Sequence, residues 1–218
     1  MSARPSAPEA AQLTGPAGTL EALIETPPAP PRYFAVVCHP HPLHGGTLQN
    51  KVVYMLARTL LQQGVAAIRF NFRGIGTSSG QFDEGIGEVA DALAVVAYGR
   101  TRWPQAGLVL AGFSFGGMVA AQAAASARPQ WLVTVAPAVR LLTRPLPQPA
   151  CPWLLIQGDA DDVVDPQQVS DWAKSFAPPP TLKRLPGVGH FFHGRLQDLQ
   201  QAVAAELPAA LNLGPGGP

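Results

Sequence analysis

Residues 108–117 read LVLAGFSFGG, an apolar run that ends in the pattern G-x-S-x-G. The apolar residues up to Phe113 predict a buried strand, and the small residues that follow predict a helix. Ser114 therefore stands where a strand ends and a helix begins, with glycines that leave room for a tight turn. A serine lifted out at such a corner is a candidate nucleophile, and the N–H of Phe115 points toward developing negative charge. We predict that Ser114 is the nucleophile and that Phe115 is one oxyanion donor.

Short apolar runs alternate with segments of helical spacing along the rest of the chain. The predicted strands are 33–38, 65–71, 107–113, 131–136, 153–158 and 181–185. The predicted helices are 48–64, 86–98, 115–127, 166–176 and 195–211. The second helix has an apolar face made of Ile86, Val89, Leu93 and Val96. This alternation predicts an α/β fold with a mostly parallel central sheet, helices on both faces and an antiparallel N-terminal edge at 12–25.

The length, charge and composition of the chain exclude several classes of protein. The 218 residues suit a single domain, 1–218, with frayed ends at 1–10 and 213–218. A net charge of +1 without clustered Lys or Arg argues against nucleic-acid binding. No apolar stretch is long enough to span a membrane, and no signal sequence is evident. Cys38 and Cys151 are expected to be buried free thiols in a cytoplasmic protein, while the oligomeric state stays open.

A serine hydroxyl needs a base within hydrogen-bonding reach, and the chain has five histidines. His190 lies in LPGVGHFF, in the loop after the strand at 181–185 and before the last helix. His193 is the weaker candidate because we expect it to begin that helix. We therefore predict that His190 is the general base.

The base needs a carboxylate that holds its tautomer and stabilises the imidazolium. The segment IQGDADDVVDP offers Asp159, Asp161, Asp162 and Asp165. Asp165 precedes Pro166 and is expected to cap a helix, which is a structural role. Asp161 lies three residues beyond the glycine that ends the strand, and we choose it as the catalytic acid. Asp162 remains the alternative.

Ser, Asp and His occur in that order, each in a loop after a strand, and in this order the sequence resembles the α/β-hydrolase superfamily. It is most similar to small bacterial serine hydrolases of that fold in five segments. These are CHPHPLHGGTLQNKVV (38–53), NFRGIGTSSG (71–80), GFSFGG (112–117), GDADDVV (158–164) and GHFFHGRL (189–196). The resemblance covers the chain from about residue 33 and implies a serine hydrolase that needs no cofactor.

The segment CHPHPLHGG at 38–46 has two interpretations. A metal-dependent hydrolase could use Cys38, His39, His41, His44 and His193, but the two prolines restrict how these side chains converge. In the resembling family, the loop after this strand begins His-Gly, and the next residue donates the second oxyanion N–H. Aligned here, that donor falls on His41, because Pro40 and Pro42 have no N–H. We predict no metal and a backbone role for His41, with Leu43 as the alternative donor.

Many members of the resembling family carry a helical lid, for which residues 137–152, PAVRLLTRPLPQPACP, are too short. We therefore expect an open apolar site flanked by Leu43, Phe113, Phe115 and Phe191. Such a site favours carboxylic esters of small to medium acyl length, and Leu43, Phe113 and Phe191 are predicted to bind the substrate. Thioesterase and peptidase activity would use the same catalytic residues. A non-catalytic binding module on a hydrolase scaffold is the hypothesis from another class.

Overall fold

The computed structural model describes residues 7–142 and 145–211. Within these ranges the strands are β1 (Glu9–Gly15), β2 (Gly18–Glu25), β3 (Tyr33–Cys38), β4 (Ala66–Phe70), β5 (Gly107–Phe113), β6 (Trp131–Val135), β7 (Trp153–Gly158) and β8 (Thr181–Leu185). The helices are α1 (Lys51–Gln62), α2 (Ile86–Arg102), α3 (Phe115–Ala127), α4 (Pro166–Lys174) and α5 (Leu196–Ala210). Of the ends expected to be frayed, 1–10 and 213–218, residues 1–6 and 213–218 lie outside the described residues, whereas residues 9 and 10 belong to β1.

The strands form one sheet in the order β1-β2-β4-β3-β5-β6-β7-β8. From β4 to β8 all neighbours are parallel, whereas β2 runs antiparallel to both β1 and β4. The predicted α/β class and the antiparallel N-terminal edge are therefore confirmed. A parallel sheet needs helical crossovers, which explains the alternation of strands and helices in the sequence.

Each face of the sheet has its own apolar core. In β3, Phe34, Val36 and Cys38 pack toward α2, α3 and α4. Ala35 and Val37, on the opposite face, pack toward α1 and α5. Because both faces of this strand are buried, its sequence is a continuous apolar run and does not alternate with polar residues.

Side-chain caps fix where the helices begin. The carboxamide of Asn50 accepts hydrogen bonds from the N–H groups of Val52 and Val53, so α1 starts three residues later than predicted. Asp165 caps α4 by accepting from the N–H of Gln167, with Pro166 at the first helical position, as predicted. The helix α5 begins at Leu196, so the expectation that His193 would start it is wrong.

The carboxyl ends of the parallel strands share one edge of the sheet, so the loops after β3, β5, β7 and β8 lie side by side. These loops carry all the predicted catalytic residues. The described part of the connection between β6 and β7 contains one 3₁₀ helix, Val139–Leu141, and no lid domain. None of the helices within the described ranges is long and apolar enough to cross a membrane.

Candidate active site

Ser114 occupies a sharp turn between β5 and α3. Its backbone has φ 55° and ψ −118°, a positive-φ conformation that is strained for a residue with a side chain. The N–H of Ser114 donates to the Val135 carbonyl at 2.8 Å, which holds the turn to the end of β6. A Cβ atom at Gly112 would lie 2.1 Å from the Gly116 carbonyl oxygen, so only glycine fits there. The tight corner expected from G-x-S-x-G is therefore present.

The structure brings Ser114, His190 and Asp161 together in one chain of hydrogen bonds. The Oγ of Ser114 lies 3.1 Å from the Nε2 of His190, and the Nδ1 of His190 lies 2.8 Å from the Oδ2 of Asp161. An ionised carboxylate only accepts hydrogen bonds, so the proton of the neutral imidazole sits on Nδ1. Nε2 is then free to accept the proton of the serine hydroxyl.

Asp161 is almost fully buried and is held by several donors. Its Oδ1 accepts from the N–H groups of Val163 and Val164, at 2.9 and 2.7 Å. Burial works to raise the pKa of Asp161, but the hydrogen bonds from His190, Val164 and Val163 outweigh it and keep the pKa below its ordinary value. Asp161 is thus stabilised as a carboxylate, whereas the alternative, Asp162, is exposed and faces solvent.

The loops that carry Asp161 and His190 are tied to each other. Asp159 accepts from the N–H of Gly187 at 2.6 Å, and the N–H of Ala160 donates to the Val188 carbonyl at 3.1 Å. A Cβ atom at Gly158 would lie 2.1 Å from the Val188 carbonyl oxygen, so the two loops are in direct backbone contact. Asp159 therefore has a structural role, and the contact fixes the distance between Asp161 and His190.

The loop after β3 packs against the first turn of α3, which places the two predicted oxyanion donors, His41 and Phe115, on neighbouring segments. Among the hydrogen bonds of the described residues, none uses the N–H of His41 or of Phe115. The N–H of Leu43, the alternative donor, is already bound to the Nδ1 of His41 at 3.2 Å. This difference favours His41 over Leu43 as the residue that faces a developing oxyanion.

His39 has a structural role that its sequence does not reveal. Its Nδ1–H donates to the Pro40 carbonyl at 2.7 Å, and its Nε2 accepts from the N–H of Phe72 at 3.0 Å. Burial lowers the pKa of His39 to about 4, although the Pro40 carbonyl works to raise it, so the ring is neutral near pH 7. The side chain therefore fastens the loop after β3 to the loop after β4. No local signal indicates this, because Phe72 lies far away in the sequence.

The side chains considered for a metal do not converge. His41 and His44 stack on each other with ring centroids 4.3 Å apart, and Cys38 is fully buried. Across residues 7–142 and 145–211, no three His, Cys, Asp or Glu side chains are arranged to hold a metal ion. Both cysteines are free thiols, but Cys151 is half-buried and not buried as expected. Burial raises the pKa of Cys151 to about 11.

Two of the three predicted substrate-binding side chains are on the surface, and one is not. Leu43 is 65% exposed and Phe191 is 50% exposed. Phe113 is fully buried, so its predicted contact with substrate is wrong. As the last residue of β5, it points into the core shared with α5, and its ring lies 4.9 Å from that of His190. Phe113 thus packs against the imidazole of His190 from the core side.

A groove of about 350 Å³ lies between the start of α2 and α3, and Ser114 is not among the residues that line it. Ile86, Val89 and Leu146 contribute to its walls. Ile86 is 64% exposed, so the prediction that it belongs to the buried face of α2 is wrong. The buried positions of this helix include Glu88 and Asp91, because both carboxylates have hydrogen-bond donors beside them.

A mostly parallel sheet with a serine at the sharp turn between its central strand and the next helix defines the class of α/β hydrolases. The chain belongs to the Hydrolase_4 family, described as "Serine aminopeptidase, S33", whose model matches residues 35–151. A relative in Rickettsia prowazekii (strain Madrid E), uncharacterized protein RP471, is 33% identical over 207 residues, which cover 88% of this chain and 85% of that protein.

Solved structures of bacterial proteins share the fold. XC6422 from Xanthomonas campestris, an α/β serine hydrolase without a lid, is 44% identical with a TM-score of 0.87, and the match covers 97% of each chain. An α/β serine hydrolase homologue from Coxiella burnetii is 41% identical with a TM-score of 0.87, over 91% of this chain and 97% of that one. The resemblance to lidless bacterial serine hydrolases is therefore confirmed.

Proposed function

We propose that this protein hydrolyses carboxylic esters of small to medium acyl length through an acyl-enzyme intermediate. The observation that carries the proposal is the continuous hydrogen-bonded chain from the Oγ of Ser114 through His190 to Asp161. Such a chain converts a weakly nucleophilic hydroxyl into an effective nucleophile, because the imidazole takes the proton as the oxygen attacks.

In the first half of the reaction, the Oγ of Ser114 attacks the ester carbonyl and its proton moves to the Nε2 of His190. The N–H groups of His41 and Phe115 donate to the resulting oxyanion; one such donor is typically worth about 3–4 kcal/mol. When the tetrahedral intermediate collapses, the bond to the alcohol oxygen breaks. The alcohol leaves with the proton from His190, and the acyl group stays on Ser114.

In the second half, His190 takes a proton from a water molecule that attacks the acyl carbon. The second tetrahedral intermediate uses the same two N–H groups. Its collapse returns the proton to Ser114 and releases the carboxylic acid. Throughout both halves Asp161 remains ionised and holds the imidazolium, which agrees with its lowered pKa.

The surroundings of Ser114 support an ester substrate with a modest apolar acyl group. Leu43 and Phe191 offer exposed apolar surface on the two loops that flank the serine. The family description names an aminopeptidase, whose substrate carries an ammonium group that needs a free carboxylate. Asp161 cannot serve that purpose, since both its oxygens already accept hydrogen bonds from the protein. Thioesters need no such partner and would use the same residues.

A substrate panel tests this proposal. It compares kcat/KM for p-nitrophenyl acetate, octanoate and palmitate, the matching thioesters, and leucine p-nitroanilide, with the Ser114→Ala variant as background. We expect acetate and octanoate to be cleaved fastest and the anilide to be cleaved slowest. A preference for the anilide would identify a peptidase, and a preference for palmitate would contradict the proposed acyl length.

A further inference from the structure

Gln157 is a buried polar side chain that contacts the catalytic acid. It lies on β7 one residue before the strand ends, and only 1% of its surface is exposed. Its Nε2 donates to the Oδ2 of Asp161 at 3.0 Å, and that same oxygen accepts the Nδ1–H of His190 at 2.8 Å. Gln157 is therefore linked by two hydrogen bonds, through the Asp161 carboxylate, to the imidazole of His190.

The carboxylate of Asp161 has no acceptor position left over. A carboxylate offers about four lone-pair sites on its two oxygens. Val163 and Val164 fill those of Oδ1 with backbone N–H groups, and Gln157 and His190 fill those of Oδ2. Each oxygen is thus held by two donors from different directions, so the carboxylate cannot rotate without losing at least one hydrogen bond.

The orientation of the Gln157 amide is fixed by the same contact. Because a carboxylate only accepts, the NH₂ side must face Asp161 and the carbonyl side must face away. The Oε1 of Gln157 is then buried without a hydrogen-bond partner among the described residues. Leaving a buried acceptor unpaired is unfavourable, and an apolar side chain of the same size would avoid it. The Nε2 of Gln157 also donates to the carbonyls of Gly158, at 3.2 Å, and of Val164, at 3.5 Å, but its shortest hydrogen bond is the one to Asp161.

We propose that Gln157 is a positioning residue, whose N–H holds the Oδ2 of Asp161 in line with the Nδ1 of His190. The inference rests on the proposed serine-hydrolase function. Without this N–H, Oδ2 is held by His190 alone, while Oδ1 keeps its two backbone donors, so rotation about the soft Cβ–Cγ torsion breaks fewer hydrogen bonds. His190 then loses its fixed orientation toward Ser114. Substrate binding is unaffected, because Gln157 is buried beneath the site.

The test replaces Gln157 with methionine, which has a similar length and no hydrogen-bond donor. We expect Gln157→Met to lower kcat roughly tenfold and to leave KM within about twofold, because geometry and not binding is lost. We also expect the low-field proton NMR resonance of the His190 Nδ1–H to move upfield and broaden. Methionine removes the unpaired Oε1, so the variant should fold; Gln157→Leu provides a second variant without the donor.

Thr134→Val is the matched control. Thr134 is fully buried on β6 beside β7 and accepts a hydrogen bond from the Trp153 indole at 2.9 Å. Its substitution removes a buried hydrogen bond that does not involve Asp161. We expect a loss of stability with kcat and the His190 resonance unchanged, which separates positioning from general destabilisation.

The measurement of kcat and the NMR resonance of His190 test the proposed esterase function and the positioning role of Gln157 separately. If the wild-type protein hydrolyses no ester, the proposed function fails, but the His190 resonance still tests Gln157. If the wild-type protein is active and Gln157→Met leaves both kcat and the resonance unchanged, the positioning role is wrong. A downfield shift would also overturn it, since Gln157 would then compete with His190 for Oδ2. If Thr134→Val also lowered kcat and moved the His190 resonance upfield, these changes would be due to destabilisation and the positioning role would be wrong.

Discussion

Gly116 is in direct contact with the backbone of Cys38. A Cβ atom at position 116 would lie 2.3 Å from the Cys38 carbonyl oxygen and 2.4 Å from that of His39. This contact places the loop after β3, which carries His41, against the first turn of α3, which carries Phe115, and the rings of these two residues lie 5.0 Å apart. The second glycine of the G-x-S-x-G pattern therefore assembles the proposed oxyanion site as well as the turn.

We expect Gly116→Ala to separate these two backbone segments. The added methyl group would meet backbone atoms that cannot move aside without shifting the loop, so one oxyanion donor would be displaced. Activity on p-nitrophenyl acetate should fall ~10²–10³-fold, the usual loss for one such donor. Gly117→Ala is the control, because its Cβ would come no closer than 3.2 Å to a neighbour. Equal activity of the two variants would contradict this role for Gly116.

Variants of His41 separate the amide from the imidazole. The φ angle of His41 is −52°, within the range of proline, so His41→Pro removes the N–H without forcing a new backbone path. We expect His41→Pro to lose ~10²–10³-fold in kcat. His41→Ala keeps the N–H and should retain much of the activity. Steady-state kinetics of both variants decide the matter: if both are equally inactive, the imidazole is needed and the backbone role is wrong.

Substitution of the neighbouring residues Asp161 and Asp162 should have very different effects on kcat. Asp161→Asn removes the charge that holds the His190 tautomer, and we expect kcat to fall by roughly 10³–10⁴-fold. Asp162→Asn changes an exposed side chain and should leave kcat close to that of the wild type. The comparison uses one substrate and one pH for both variants. A larger loss in Asp162→Asn would reassign the catalytic acid.

His39 should make the stability of the protein depend on pH. Its pKa of about 4 in the folded state lies below the ordinary 6.5, so the unfolded chain binds the proton first as the pH falls. The contribution of neutral His39 to the free energy of unfolding is fully present above pH 6.5 and is lost progressively as the pH falls toward 4. By linkage the loss is roughly 3 kcal/mol, at 1.36 kcal/mol for each pKa unit.

Urea unfolding across that pH range measures this dependence. His39→Gln keeps a donor and an acceptor but does not titrate, so the other groups cancel when the two proteins are compared. We expect the wild type to lose roughly 3 kcal/mol more than the variant between neutral pH and pH 4. Parallel curves for the two proteins would show that His39 is not held neutral in the folded state.

The inner parallel strands were the most predictable part of the fold, because β3, β5, β6 and β7 are largely apolar runs buried on both faces of the sheet. Periodicity failed for α2, where Ile86 is exposed and Asp91 is buried. The donors that make burial of Asp91 possible come from Arg73, on a distant loop. Such pairings depend on tertiary contacts that no local pattern contains.

The side chains of the proposed catalytic residues could be located from the sequence because each follows a strand, and parallel strands present their ends at one edge. Their supports were not predictable. The sequence predicts that Phe113 contacts the substrate, but the pleat of β5 directs its side chain into the core beside His190. Gln157 and His39 were not recognised because their roles depend on single hydrogen bonds across the site. The sequence is therefore a better guide to the proposed reacting residues than to the residues that position them.

The most direct test of the account is the activity of Ser114→Ala on p-nitrophenyl acetate, together with labelling by a fluorophosphonate probe. Ser170, on α4, is as buried as Ser114 at 7% exposure, so Ser170→Ala is the control. We expect the wild type and Ser170→Ala to hydrolyse the ester and to be labelled. Ser114→Ala should lose several orders of magnitude in kcat and all labelling. Hydrolysis by Ser114→Ala at the wild-type rate, or a wild type that the probe does not label, would contradict the central claim.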